Sequence, residues 1–143
     1  MTDLIRSWVE TANDPETPFP LNNLPFGVFS AGDAPRCAVA IGAHVVDLAA
    51  LQSAGLLPDH GFDTSALNTF MGKGKQAWAD VRTKLTDLLR EGGETPEVRG
   101  ALHDRADVTM HLPFTVAEYT DFYAGRQHAF NVGSLFRDPA NAL

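Results

Sequence analysis

Apolar positions along this chain recur with two different periods, and the points where one period gives way to the other divide it into elements. Leu4, Ile5, Trp8, Val9 and Ala12 have helical spacing, so residues 3–12 are predicted as a short amphipathic helix. Residues 13–25 contain four prolines and read as an extended lead-in. Short strands follow at 26–30 and 36–41, parted by the turn residues Gly32, Asp33 and Pro35, and Gly42-Ala43-His44 turns the chain into a third at 45–47. Three short strands joined by tight turns predict a small barrel or meander.

Residues 48–54 read as one or two helical turns stopped by Gly55, and 56–63 as loop. A short helix is predicted at 65–71, with Asp63, Thr64 or Ser65 as its cap. The strongest periodicity lies at 75–91, where Trp78, Val81, Leu85, Leu88 and Leu89 share a face and Gly92-Gly93 ends the helix. Another short helix is expected at 96–102 and a strand at 107–112, closed by Pro113. Near Phe114 aromatic and hydrogen-bonding residues become dense, so a domain boundary is placed there, between residues 1–114 and 115–143.

Composition narrows the classes. With 44% hydrophobic and 20% charged residues, the chain has ordinary globular usage. A formal charge of −7, with 11 basic residues spread thinly, argues against a nucleic-acid partner. Cys37 is the single cysteine, which excludes an internal disulfide or a cysteine-based zinc site, and its place in the run CAVAI predicts a buried small hydrophobe. Asp3, Arg6 and Glu10 interrupt any secretion-signal core, and no stretch approaches the ~18 apolar residues of a membrane span. No membrane partner and a cytoplasmic location are therefore expected. Met71-Gly72-Lys73-Gly74-Lys75 lacks the spacing of a phosphate-binding loop and reads as glycines separating two helices. His44, His60 and His103 are expected to be exposed or locally bonded. His111, alternating with Met110 and Leu112, has a packing or interface role.

One stretch concentrates chemistry. Between Glu118 and Arg137 stand Tyr119, Asp121, Tyr123, Arg126, His128 and Asn131. In an extended segment Asp121 and Tyr123 would project to one side. Gly125 allows a change of direction into a helix at 126–136, with His128 near its start. Two readings are open from spacing alone. One is an ordinary strand-turn-helix with surface polars. The other is a site in which Asp121 ligates a metal, His128 handles a proton, and Tyr123 and Arg137 hold an anionic substrate.

The string MHLPFTVAEYTDFYAGRQHAFNVGSLFRDPANAL resembles the start of the catalytic domain of the fumarylacetoacetase family, whose pattern runs close to M-H-L-P-x-x-x-x-D-Y-T-D-F-Y-x-x-x-x-H-A-x-N-V-G-x-x-F-R. FPLNNLPFGVFS, AVAIGAHVVDLAAL and LNTFMGKGKQAW resemble the N-terminal domain of the same enzymes, so the likeness covers nearly the whole chain. Related acylpyruvate hydrolases generally lack that front domain. The resemblance implies an α+β chain: a small SH3-like β-barrel domain with flanking helices, then the start of a mixed β-sheet catalytic domain.

It further implies hydrolysis of fumarylacetoacetate to fumarate and acetoacetate, in tyrosine and phenylalanine catabolism. Asp121 is implied as the first ligand of Ca2+ or Mg2+, His128 as the general base, and Tyr123 and Arg137 as substrate-binding residues for a β-diketo dicarboxylate. Glu118 departs from the aspartate usual in the pattern, away from the expected ligand. The family's other metal ligands, a Glu-x-Glu pair and an Asp, come later in its sequence, as do its dyad glutamate and oxyanion-stabilising residues. No Glu-x-Glu occurs in these 143 residues. The chain alone is thus expected to be inactive and to bind metal weakly, with exposed apolar surface from Val116 to Leu143, and the full enzyme to be a homodimer. The alternative is a free-standing, non-catalytic N-terminal domain acting as an interaction or regulatory module.

Overall fold

The computed structural model describes residues 4–143. Strands β1 (Phe26–Ser30), β2 (Arg36–Ile41) and β3 (His44–Asp47) form an antiparallel meander, extended on its two edges by β4 (Leu102–Asp104) and β5 (Thr109–His111). The order β4-β3-β2-β1-β5 makes one five-stranded antiparallel sheet, curled as a half-barrel in the manner of an SH3-like domain. Between β3 and β4 the chain forms helices α1 (Leu48–Ser53), α2 (Asn68–Met71), α3 (Lys75–Leu89) and α4 (Pro96–Gly100).

The central strand β2 carries the unbroken apolar run Cys37–Ile41 because both faces of the sheet are covered there. On one face Val28, Cys37, Val39, Ile41 and Val46 join the main core with Leu48, Leu51, Phe62, Phe70, Val81, Leu85 and Leu89. Their neighbours Phe29, Ala38 and Val45 point the other way into a smaller cluster with Val108. The Arg36 guanidinium lies 4.6 Å from the Phe29 ring centroid, and the His103 ring lies 5.1 Å from it. Ile41 pairs with His44, leaving Gly42 and Ala43 as a two-residue turn. Gly42 has φ +52°, and a Cβ there would run into the Thr11 and Ala12 backbone. A left-handed first turn residue suits the twist of a tight hairpin.

Val81, Leu85 and Leu89 recur every four residues on α3 and are fully buried. The predicted helix at 3–12 does not form. Residues 4–6 lack regular structure, Ser7 bridges to Arg90, and only Glu10–Asn13 makes a 3-10 turn; Asp3 lies outside the described residues. The reason is competition from the end of α3, whose last carbonyls need donors. Ser7 Oγ donates to the Leu89 carbonyl at 2.6 Å and Trp8 Nε1 to that of Leu88 at 2.9 Å. The Asn13 side chain meanwhile binds both the N–H and the C=O of Ser7. Pulling the chain out of helix satisfies these groups better than helix would.

Smaller corrections follow the same logic. The second short helix starts at Asn68, with Leu67 as its N-cap residue and no side-chain cap; Thr64 instead donates to the Gly61 and Ala66 carbonyls. The helix expected at 96–102 stops at Gly100, because Leu102 pairs with Val46 in β4. Arg105–Asp107 form a 3-10 turn capped by Asp104, which shortens the last strand to Thr109–His111. His44 and His60 are half-buried, each with a buried Nδ1 lacking a hydrogen-bond partner, and the His60 ring stacks on Phe70. His111 is exposed and hydrogen-bonded to Ser30 Oγ. Cys37 is fully buried, as its sequence context predicts.

Candidate active site

The chemistry-bearing stretch leaves the sheet through β5. Residues 112–125 carry no regular structure, and α5 (Arg126–Phe136) begins directly after Gly125. Gly125 offers no side-chain cap, so α5 starts without one. The chain then makes a 3-10 turn at Pro139–Asn141, where Asp138 accepts a hydrogen bond from the Ala140 N–H. This turn folds back onto α5: Ala142 is buried, and a Cβ at Gly133 would collide with the Ala142 carbonyl. Gly133 is therefore where the close approach happens.

The return creates a pocket of about 420 Å³ lined by Tyr123, Val132, Phe136, Arg137, Leu143 and the smaller residues between them. Tyr123 and Arg137, both expected to hold substrate, thus line one cavity. The Tyr123 ring also lies 5.3 Å from the His128 ring, tilted by 58°. Arg137 follows the last turn of α5 in extended conformation, its N–H donating to the Gly133 carbonyl at 2.9 Å. The lining thus combines an arginine and a tyrosine with apolar residues, and a guanidinium can engage a carboxylate through two parallel hydrogen bonds. Asp121 is exposed and does not line this pocket.

The resemblance implies Asp121 as a single metal ligand, with the family's other ligands later in its sequence. A calcium ion takes about six to eight oxygens, and among the described residues no group of three His, Cys, Asp or Glu is placed to hold a metal ion. Asp121 by itself offers one carboxylate. The stretch also exposes much apolar surface, including Tyr119, Phe122, Leu135, Phe136 and Leu143. Among the described residues no helix is long and apolar enough to cross a membrane.

Two residues that shape this region were not among the candidate site residues, although both lie in the segments that resemble the family. Gly133 looks like an ordinary helix interruption. Asn68, on a different helix, binds the backbone of Thr115 through both ends of its amide.

Comparison with known proteins adds to this geometry. Residues 22–113 match the family model described as fumarylacetoacetase N-terminal. Proteins named fumarylacetoacetase are 42% identical in Mus musculus, 44% in Homo sapiens and 38% in Dictyostelium discoideum, across 96%, 96% and 98% of this chain respectively. The chain spans about 35% of the length of each of these relatives.

Proposed function

The chain belongs to the fumarylacetoacetase N-terminal family, and from that premise we infer that it serves as the front part of an enzyme hydrolysing fumarylacetoacetate to fumarate and acetoacetate. The observation that best supports this is the pocket that Tyr123 and Arg137 both line, with the His128 ring beside that of Tyr123. On this reading residues 1–114 are the barrel domain and residues 115–143 open the catalytic domain.

Each side chain then has a task. Arg137 pairs with a substrate carboxylate, and the Tyr123 phenol supplies a directional hydrogen bond beside it. His128 takes a proton from water, a step worth about 10²–10⁴-fold when the base is well placed. The water oxygen bonds to a carbonyl carbon of the diketone, the adjacent carbon–carbon bond breaks, and its electron pair leaves as the enolate of acetoacetate. Protonation of that enolate completes the balance. Asp121 would contribute one carboxylate to a Ca2+ or Mg2+ ion, which when bound polarises carbonyl oxygens. Further ligands would have to come from outside the described residues. The reading also takes in a homodimer, a cytoplasmic location and a place in tyrosine and phenylalanine breakdown.

The test is a chimera in which this chain replaces the aligned 35% of the mouse relative. Loss of fumarylacetoacetate absorbance is followed for the chimera and for the chain alone. Turnover by the chimera only is expected. An inactive but folded chimera would count against the reading.

A further inference from the structure

We propose that Asn68 is a positioning residue: its side-chain amide clamps the backbone of Thr115 and so fixes where the segment bearing Asp121, Tyr123 and His128 leaves the barrel. The helix that carries it is well anchored. Its neighbours Leu67 and Phe70 are buried in the main core, while Asn68 itself is exposed and turned along the surface. Asn68 Oδ1 accepts from the Thr115 N–H at 2.9 Å, and Asn68 Nδ2 donates to the Thr115 carbonyl at 3.0 Å. One side chain thereby satisfies both backbone groups of one residue, as a neighbouring strand would. The Leu67 N–H adds a third bond, to the Pro113 carbonyl at 2.8 Å.

The clamp's position gives it leverage. Upstream, β5 is held by pairing Val28 with His111, Phe29 with Met110 and Ser30 with Thr109. Downstream, no hydrogen bond is found among the described residues until the Gly125 carbonyl accepts from Ala129. Among the described residues the Asn68 pair is thus the last polar tie between the barrel and the stretch that carries the candidate site. A side-chain amide suits this task because it offers one donor and one acceptor side by side. Neither Asp nor Ala does so, since Asp keeps only the acceptor and Ala keeps neither.

The proposal's structural half is independent of the enzymatic reading, and its functional half rests on it. Amide hydrogen exchange in the chain itself tests the first. Asn68→Ala is expected to speed exchange at Thr115 about five- to tenfold, the loss of one hydrogen bond, and to speed proteolysis within residues 116–124. Exchange at Val28 and Val81 should not change. Asn68→Asp keeps the acceptor and should retain Thr115 protection, which decides the matter if the alanine variant loosens the core as well. Unchanged Thr115 exchange in Asn68→Ala would overturn the clamp. In the chimera, Asn68→Ala should lower kcat by more than it raises KM at an unchanged Tm, since misalignment is felt most in the transition state; unchanged kcat would overturn the positioning role. A chimera inactive before any substitution would speak against the proposed function alone, and the exchange result would still decide the clamp.

Discussion

Removing the Asp47 carboxylate should cost far more than its place at the start of a short helix suggests. Asp47 is 4% exposed and accepts hydrogen bonds from two partners at once, with His103 Nε2 3.9 Å from its Oδ2. Its Oδ1 accepts from the Ala50 N–H at 3.0 Å, capping α1, and its Oδ2 accepts from Arg36 Nε at 2.5 Å. Loss of an N-cap side chain costs about 1 kcal/mol. Leaving one member of a fully buried ion pair alone costs about 3–5 kcal/mol. Here the second figure must be reduced, because the Arg36 side chain is 17% exposed and keeps Asp33 at 2.6 Å. We therefore expect Asp47→Ala to lower stability by about 3 kcal/mol, from roughly 1 for the cap and roughly 2 for the stranded guanidinium. With a urea slope of about 2 kcal/mol/M, the midpoint should fall by about 1.5 M. Asp47→Asn retains the capping oxygen but replaces the acceptor facing Arg36 with an amide donor, losing the ion pair, so it should fall by about two-thirds as much. A loss below about 1 kcal/mol in Asp47→Ala, or equal losses in the two variants, would refute this division of labour.

Two further perturbations test the barrel. Burial chiefly pushes the Cys37 thiol from its ordinary 9.0 up to about 11. A folded-state value above the unfolded one means that its contribution to stability is complete below pH 9, fades as pH rises, and is gone above about 11. The parent chain should therefore lose more stability between those pH values than Cys37→Ala does, as read by urea unfolding; equal slopes would contradict this. Gly42→Ala should destabilise by about 3 kcal/mol, from left-handed backbone strain plus collision with Thr11 and Ala12. Gly55→Ala has φ +72° but open space around it, so it should cost only about 1 kcal/mol, and thermal melting of the two variants separates strain from collision.

What could be foreseen followed from how local each signal was. The strands Phe26–Ser30 and Arg36–Ile41, and the helix Arg126–Phe136, fall where composition and turn residues put them, because pattern and neighbours agree there. The N-terminal residues had helical spacing too, yet Ser7 and Trp8 serve the far end of α3, about eighty positions away in sequence. β4 was invisible because three residues at a sheet edge are defined by their partners His44–Val46 and not by any period of their own. The same holds at the site. Tyr123, His128 and Arg137 could be named from the resemblance, whereas the fold-back of Ala142 onto Gly133 beside the pocket is a tertiary event. Asn68 belongs to the same class, since its partner Thr115 lies 47 residues on.

The central claim is that this chain brings the general base of a fumarylacetoacetate hydrolase in the form of His128. The direct test is turnover of fumarylacetoacetate by the chimera described above, with and without His128→Ala. We predict that the substitution removes at least about 100-fold of kcat, while the folded state and calcium binding persist. Turnover near the parent value in His128→Ala would contradict the claim.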